Sequence, residues 1–259
     1  MKKIAYHPSG ELVIEFTESD HSYIDNFDRR YTSVTTIVGD HFPKFNAKTM
    51  ATYCSKKVGG KYHGMAPGEI LSMWQAEAER GRDEGTNVHE YAEWLISGKT
   101  QGRPTRPISE RCERLFVQAE KAVAGLLKRF TFIAAEMIVF SPGTGLAGMI
   151  DLLMYDPLKN EIVILDWKQN KEIVTDTMYD KTGLPPIEHL DDTDFNHYGL
   201  QLSTYQYIME CNGYFPGKTY RRALIHLREN SFVSIPLPYF KTECMSIAVK
   251  RGRWELNHG

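Results

Sequence analysis

The chain has 259 residues, 42% of them hydrophobic and 25% charged, the profile of a globular protein built as one large domain or two small ones. No apolar run approaches the length that spans a bilayer, and the N-terminus shows no signal-peptide core and no Arg-rich transit sequence. The net charge of −2 excludes a uniformly basic nucleic-acid binder.

Cys54, Cys112, Cys211 and Cys244 are widely scattered. Without a C-x-x-C pair they suit neither a zinc ribbon nor a cysteine-rich iron–sulfur cluster. Free cysteines in a chain without an export signal point to a reducing cytosol.

In chain order, residues 1–38 read as β-rich. Glu11 to Phe16 alternates, and Tyr31 to Val38 is dense in β-branched residues and predicts a second strand. The stretch between them, ESDHSYIDNFDRR, is polar and turn-forming. Ser33 and Thr35 can offer hydroxyls to a following helix or to a phosphate. Taken singly, each of them is accounted for more simply as part of an ordinary strand or cap.

Between His41 and Gly68 stand Lys44, Lys48, Lys56, Lys57 and Lys61 without a single acid, interleaved with Phe42, Phe45, Tyr53 and Tyr62. Cations for phosphates and rings for unstacked bases suit a single-stranded nucleic acid. A solvated helix face over a small aromatic core has the same composition.

Residues 44–97 are predicted helical, broken at Gly59-Gly60 and at Ala66-Pro67-Gly68. The longest piece runs from Glu69 to about Arg82, and Gly85-Thr86 reads as the entry to the next. Val88, Tyr91, Ala92 and Leu95 keep helical spacing, which puts His89 and Glu93 on one face. Such a face is either a metal site or a hydrogen-bonded core histidine. A second long helix is expected over 108–130, after the linker GKTQGRPTRP.

A strand is expected over 132–140. Glu136 within it is either a further acidic ligand or, as plain alternation favours, a solvent-facing residue. Two more strands follow, Ala147 to Tyr155 and Glu161 to Trp167, joined by the turn Asp156-Pro157-Leu158-Lys159-Asn160. Charges are costly in apolar strands, yet Asp151 interrupts the first, and Asp166 and Lys168 close the second. Asp166 and Lys168 are two apart and so share a side. A hairpin can bring Asp151 beside them, and two carboxylates with an ammonium suit a divalent cation and an anionic substrate. Solvated strand-end charges are the plainer alternative.

A long acidic insert, residues 170–196, precedes a strong helix, HYGLQLSTYQYIMEC, with Gln201 and Tyr205 four apart on one face. A strand over 220–227, a further strand and a last helix end the chain. No Ser-His-Asp or Cys-His arrangement offers a covalent route, and no G-x-x-x-x-G-K-[ST] loop indicates a nucleotide cofactor.

In this order the motifs His89, Gly148-Met149-Ile150-Asp151, Asp166-Trp167-Lys168 and Gln201-Leu202-Ser203-Thr204-Tyr205 resemble those of the PD-(D/E)xK nuclease superfamily, and more narrowly its RecB-type exonuclease group. The match covers about residues 85–230. Ser33 to Ile37 ahead of a basic helical region is similar to the mitochondrial genome-maintenance exonuclease and its bacteriophage relatives.

The resemblance implies an α/β, restriction-endonuclease-like core, a mixed central sheet flanked by helices. An N-terminal β-hairpin and helical region (1–84) would bind DNA and cover the active site of a catalytic core (85–259). It implies a Mg²⁺- or Mn²⁺-dependent deoxyribonuclease without an iron–sulfur cluster, acting on DNA, with single strands or free ends preferred, in the cytoplasm of a bacterial or phage-infected cell. Asp151, Asp166, His89 and the main-chain carbonyl of Trp167 would be the metal ligands. Lys168 would orient or activate water, and Gln201 and Tyr205 would hold the site or the DNA. Ser33, Thr35, Lys44, Phe45, Lys48, Tyr53, Lys56, Lys57 and Lys61 would contact DNA. A structure-specific endonuclease and a non-catalytic DNA-binding subunit of a repair complex are the alternatives.

Overall fold

The computed structural model describes residues 2–98, 105–177 and 180–258. Most of the linker after Gly98, and Met178 and Tyr179 of the acidic insert, lie outside the described residues.

The N-terminal β-hairpin expected from the sequence is a four-stranded antiparallel meander: β1 Lys2–Tyr6, β2 Val13–Thr17, β3 Ser22–Asp25 and β4 Arg30–Ser33. The polar stretch read as turn thus contains a strand. Asp25 closes its far end. Its carboxylate accepts hydrogen bonds from the main-chain N–H of Phe27 (2.9 Å) and Arg29 (3.0 Å), from Arg29 Nε (2.8 Å) and from the Tyr31 hydroxyl (2.9 Å). Ile14, Phe16, Tyr23 and Tyr31 bury the inner face of the meander against Ile138 and Phe140.

The β-branched run 31–38 is not one strand. It ends at Ser33, whose hydroxyl accepts from the Thr36 N–H (3.0 Å) and caps a short helix, α1 Val34–Asp40. Helical turning lets Val34, Ile37 and Val38 enter the core together, a burial that outweighs weak local β preference.

α2 Ala47–Lys56 and α3 Pro67–Ile96 follow. Pro67 starts α3, and the Glu69 carboxylate accepts from the Ala66 N–H (3.1 Å). The expected entry at Gly85-Thr86 is instead the middle of one continuous helix. A Cβ on Gly85 would meet only the side-chain amide of Gln169. A division of the chain at 84/85 therefore falls inside α3.

The remaining elements stand close to expectation: α4 Glu110–Arg129, β5 Thr131–Ser141, β6 Leu146–Asp156, β7 Glu161–Lys168, α5 Asp194–Cys211, β8 Thr219–Leu227, β9 Phe232–Pro236 and α6 Lys241–His258. The sheet is mixed and open, in the order β1-β2-β3-β4-β6-β7-β8-β9, with β5 paired to β6. β4–β6 and β7–β8 are parallel, the other pairs antiparallel. Strand alternation sends Met154, Val163, Leu165 and Ile225 to α3 and α4, and Leu153, Ile162, Ile164 and Leu224 to α1 and α5. No helix among the described residues is long and apolar enough to cross a membrane.

Candidate active site

The site arises where β6 changes partner. Leu146 and Ala147 pair with β4, whereas Leu152 to Asp156 pair with β7. The last rung of the β6–β7 ladder is Leu152 opposite Leu165, and the next would set Asp151 against Asp166. The strands part there, and the main chain of Trp167, still paired with β8, faces the opening. Its N–H donates to Asp151 Oδ2 (3.3 Å), and its carbonyl accepts from His89 Nε2 (3.0 Å).

His89 reaches in from α3, with Nδ1 3.3 Å from Asp151 Oδ2. Both ring nitrogens thus face oxygens. A neutral imidazole has one N–H and satisfies only one of them. Lys168 pairs with Asp166 and lies 4.5 Å over the Tyr198 ring. Asn170 and His226 hold the strand end: Asn170 Nδ2 donates to the Tyr198 hydroxyl (2.9 Å), and His226 Nε2 to the Asn170 carbonyl (2.8 Å).

From α5, Gln201 Nε2 donates to the Tyr205 hydroxyl (3.2 Å) and lies 3.5 Å from Asp166 Oδ1. Tyr205 is buried, its ring against Gly148, where a Cβ would come within 2.5 Å of Cε1. Its place is under the carboxylates, as a support.

Asp166 is only 2% exposed. Burial, followed by the charge of Asp151, raises its carboxyl to about 6, with Lys168 acting against the rise. Burial alone would lower the Lys168 ammonium, but Asp166 and Asp151 outweigh it and hold the proton more firmly than usual. Burial and the same two carboxylates push the Tyr205 phenol well above its ordinary value. One ammonium therefore serves two carboxylates. Asp166 Oδ2 meets the Lys168 ammonium directly.

Among the described residues, no three His, Cys, Asp or Glu side chains gather tightly enough to hold an ion by themselves. The set here is two carboxylates, an imidazole and a main-chain carbonyl, with one ammonium against the two carboxylates. Hard oxygens in the majority, with excess negative charge, fit Mg²⁺ or Mn²⁺.

The site opens into a cleft of about 1530 Å³ between the N-terminal meander, α3 and the parted strands. Ser33 and Thr35 both line it, but Ser33 is occupied in capping α1. Glu136 also lines it, against the expectation from plain alternation. Its backbone is left-handed (φ 48°) in the middle of β5, opposite Asp151, and its carboxylate pairs with Lys3. Glu93 lines the same wall, its carboxyl raised by burial, against the pull of Lys3, with Glu90 and Asp151 adding to the rise.

Lys44, Phe45, Lys48, Tyr53, Lys56, Lys57 and Lys61 are exposed and none lines the cleft. Lys44 pairs with Asp40 (2.8 Å). The cleft itself is acidic: Glu18, Glu90, Glu93, Glu136, Asp151 and Asp166 face Lys3, Arg82 and Lys168.

Several site residues escaped the sequence reading. Tyr198 was within reach, because 198, 201 and 205 follow helical spacing on α5. Lys3, His21 and Gln169 carry no local signal and reach the cleft only through the fold. Compared with protein-family models and with curated proteins, the chain matches none.

Proposed function

We propose that this chain is a metal-dependent deoxyribonuclease that hydrolyses phosphodiester bonds, acting as an exonuclease on single strands or free ends. The observation that carries this reading is the convergence of Asp151, Asp166, Lys168, His89 and the Trp167 carbonyl at the parting of β6 and β7. On this reading the mixed sheet is a restriction-endonuclease-like core.

Asp151, Asp166, the Trp167 carbonyl and His89 would hold Mg²⁺ or Mn²⁺. Bound there, the ion neutralises charge on the phosphoryl group and lowers the pKa of water. Lys168, firmly protonated, serves as a fixed cation and hydrogen-bond donor that orients water toward phosphorus. Gln201 steadies Asp166, and Tyr205 supports Gln201 from below. The lysines and rings of α2 and its flanks would hold DNA beyond the cleft, since an acidic cleft gives little attraction of its own.

The test uses linear DNA labelled at each end in turn, in Mg²⁺, Mn²⁺ or EDTA, beside a closed single-stranded circle. The expected result is metal-dependent release of nucleotides or short fragments from linear DNA, with circles intact. Cut circles would convert the reading to an endonuclease. No cleavage of either substrate in either metal would overturn it.

A further inference from the structure

Among the described residues three cations line the cleft, and two of them are already paired: Lys168 with Asp166 and Lys3 with Glu136. The third, Arg82, has no acidic partner among the described residues. Within one helical turn of it no acid lines the cleft, and Glu90 and Glu93 of the same helix lie two or more turns further on. Positions three and four residues on are Gly85 and Thr86, and Glu79, three residues back, accepts from Gln75 (3.0 Å). Gly81 beside it leaves open space, since a Cβ there would meet nothing within 4 Å. An unpaired guanidinium on the wall of an otherwise acidic cleft is a fork of donors with no protein acceptor, and it matches a phosphate.

Arg82 precedes His89 by seven residues of α3, about 10 Å along the axis. Two helical turns thus separate the base of the guanidinium from the imidazole that faces Asp151. We infer that Arg82 is a subsite for a backbone phosphate flanking the one that is cut, so that the bound single strand runs along α3 from the parted strands toward α2. This inference rests on reading the cleft as a nuclease site.

The experiment measures fluorescence anisotropy of a labelled short oligothymidylate in Ca²⁺ at several salt concentrations, for wild type, Arg82→Ala and Arg82→Lys. Arg82 is exposed, so the fold is expected to survive, and a melting curve checks this. The expected result for Arg82→Ala is several-fold weaker binding and a salt slope shallower by about 0.7, the value for one phosphate on a single strand. Arg82→Lys should keep the slope. In a second arm, one neutral methylphosphonate linkage is moved along the oligonucleotide. The linkage that matters to wild type but not to Arg82→Ala should differ from the linkage cleaved in Mg²⁺. Unchanged affinity and slope in Arg82→Ala would overturn the subsite, as would coincidence of the two linkages. A wild type that cuts DNA while Arg82→Ala binds normally leaves the nuclease reading standing and removes this inference. Lost binding in Arg82→Ala, with no cleavage by wild type in any metal, does the reverse.

Discussion

Asp166 is a carboxylate held in the sheet, and its surroundings explain why a neighbour two residues on must be cationic. Lys168 offsets one buried charge, and Asp151 supplies a second that it does not fully offset. If Asp166 holds the ion as proposed, Asp166→Asn keeps the shape and removes a charged ligand, so cleavage and the rise in Tm on adding Mg²⁺ should both be lost while the far-ultraviolet circular dichroism is kept. Lys168→Ala leaves two carboxylates without their ammonium. Breaking such a pair costs about 3–5 kcal/mol, and Mg²⁺ should restore more stability to this variant than to wild type in a thermal melt. Protons compete with the ion. The raised carboxyl of Asp166 means that the metal-free folded chain keeps a proton the unfolded chain has released, so its stability grows as pH falls from about 6 toward the ordinary 3.8. Mg²⁺ needs the ionised form, so the Mg²⁺-induced rise in Tm should shrink as pH falls through about 6. A rise independent of pH would mean that Asp166 is not a ligand.

Two glycines of the site elements do different work. On β6, Gly148 lets the Tyr205 ring lie against the strand, with Val34 on the same spot: a Cβ would come within 2.5 Å of the ring and 3.0 Å of Val34 Cγ2. Both neighbours are buried, so Gly148→Ala should cost about 1–3 kcal/mol through overpacking in urea unfolding. On α3, a Cβ at Gly85 would meet only the far end of Gln169, which can swing away. Replacing a mid-helix glycine by alanine favours the helix by up to about 1 kcal/mol. Gly85→Ala is therefore expected to leave stability unchanged or slightly higher. If both variants lost stability equally, the close approach at Gly148 would not be what shapes the strand.

At the scale of the molecule, α3 joins two regions of different character. Its second half packs on α4 and the sheet through Val88, Ala92 and Ile96. Residues 43–87 contribute no side chain to the three apolar clusters of the core, and α2 packs chiefly against α3. This helical arm carries the lysines and exposed Phe45 and Tyr53, outside the acidic cleft. If DNA approaches over the arm, Lys56→Ala/Lys57→Ala should weaken single-strand binding and flatten its salt slope by about 0.7 per lost phosphate contact, while Asp166→Asn leaves that slope unchanged. An unchanged slope in the double variant would make the arm a solvated face and leave Arg82, Lys3 and Lys168 as the cations, among the described residues, that face the substrate.

The sequence alone determined the central hairpin, because its alternation, its turn residues and its misplaced charges are local properties that neighbouring positions express together. Gln201 and Tyr205 were legible for the same reason: a helical repeat puts them on one face. The tertiary structure alone decided that β6 changes partner at Gly148 to Asp151, that Glu136 turns into the cleft on a left-handed backbone, and that the basic segment stands outside it. It also decided that residues 34–38 are helical, since only the assembled core rewards burying Val34, Ile37 and Val38 on one side. Periodicity reports which face of an element is apolar. Which face meets which, and where two strands part, depends on partners distant in the chain, and those partners leave no mark on local spacing.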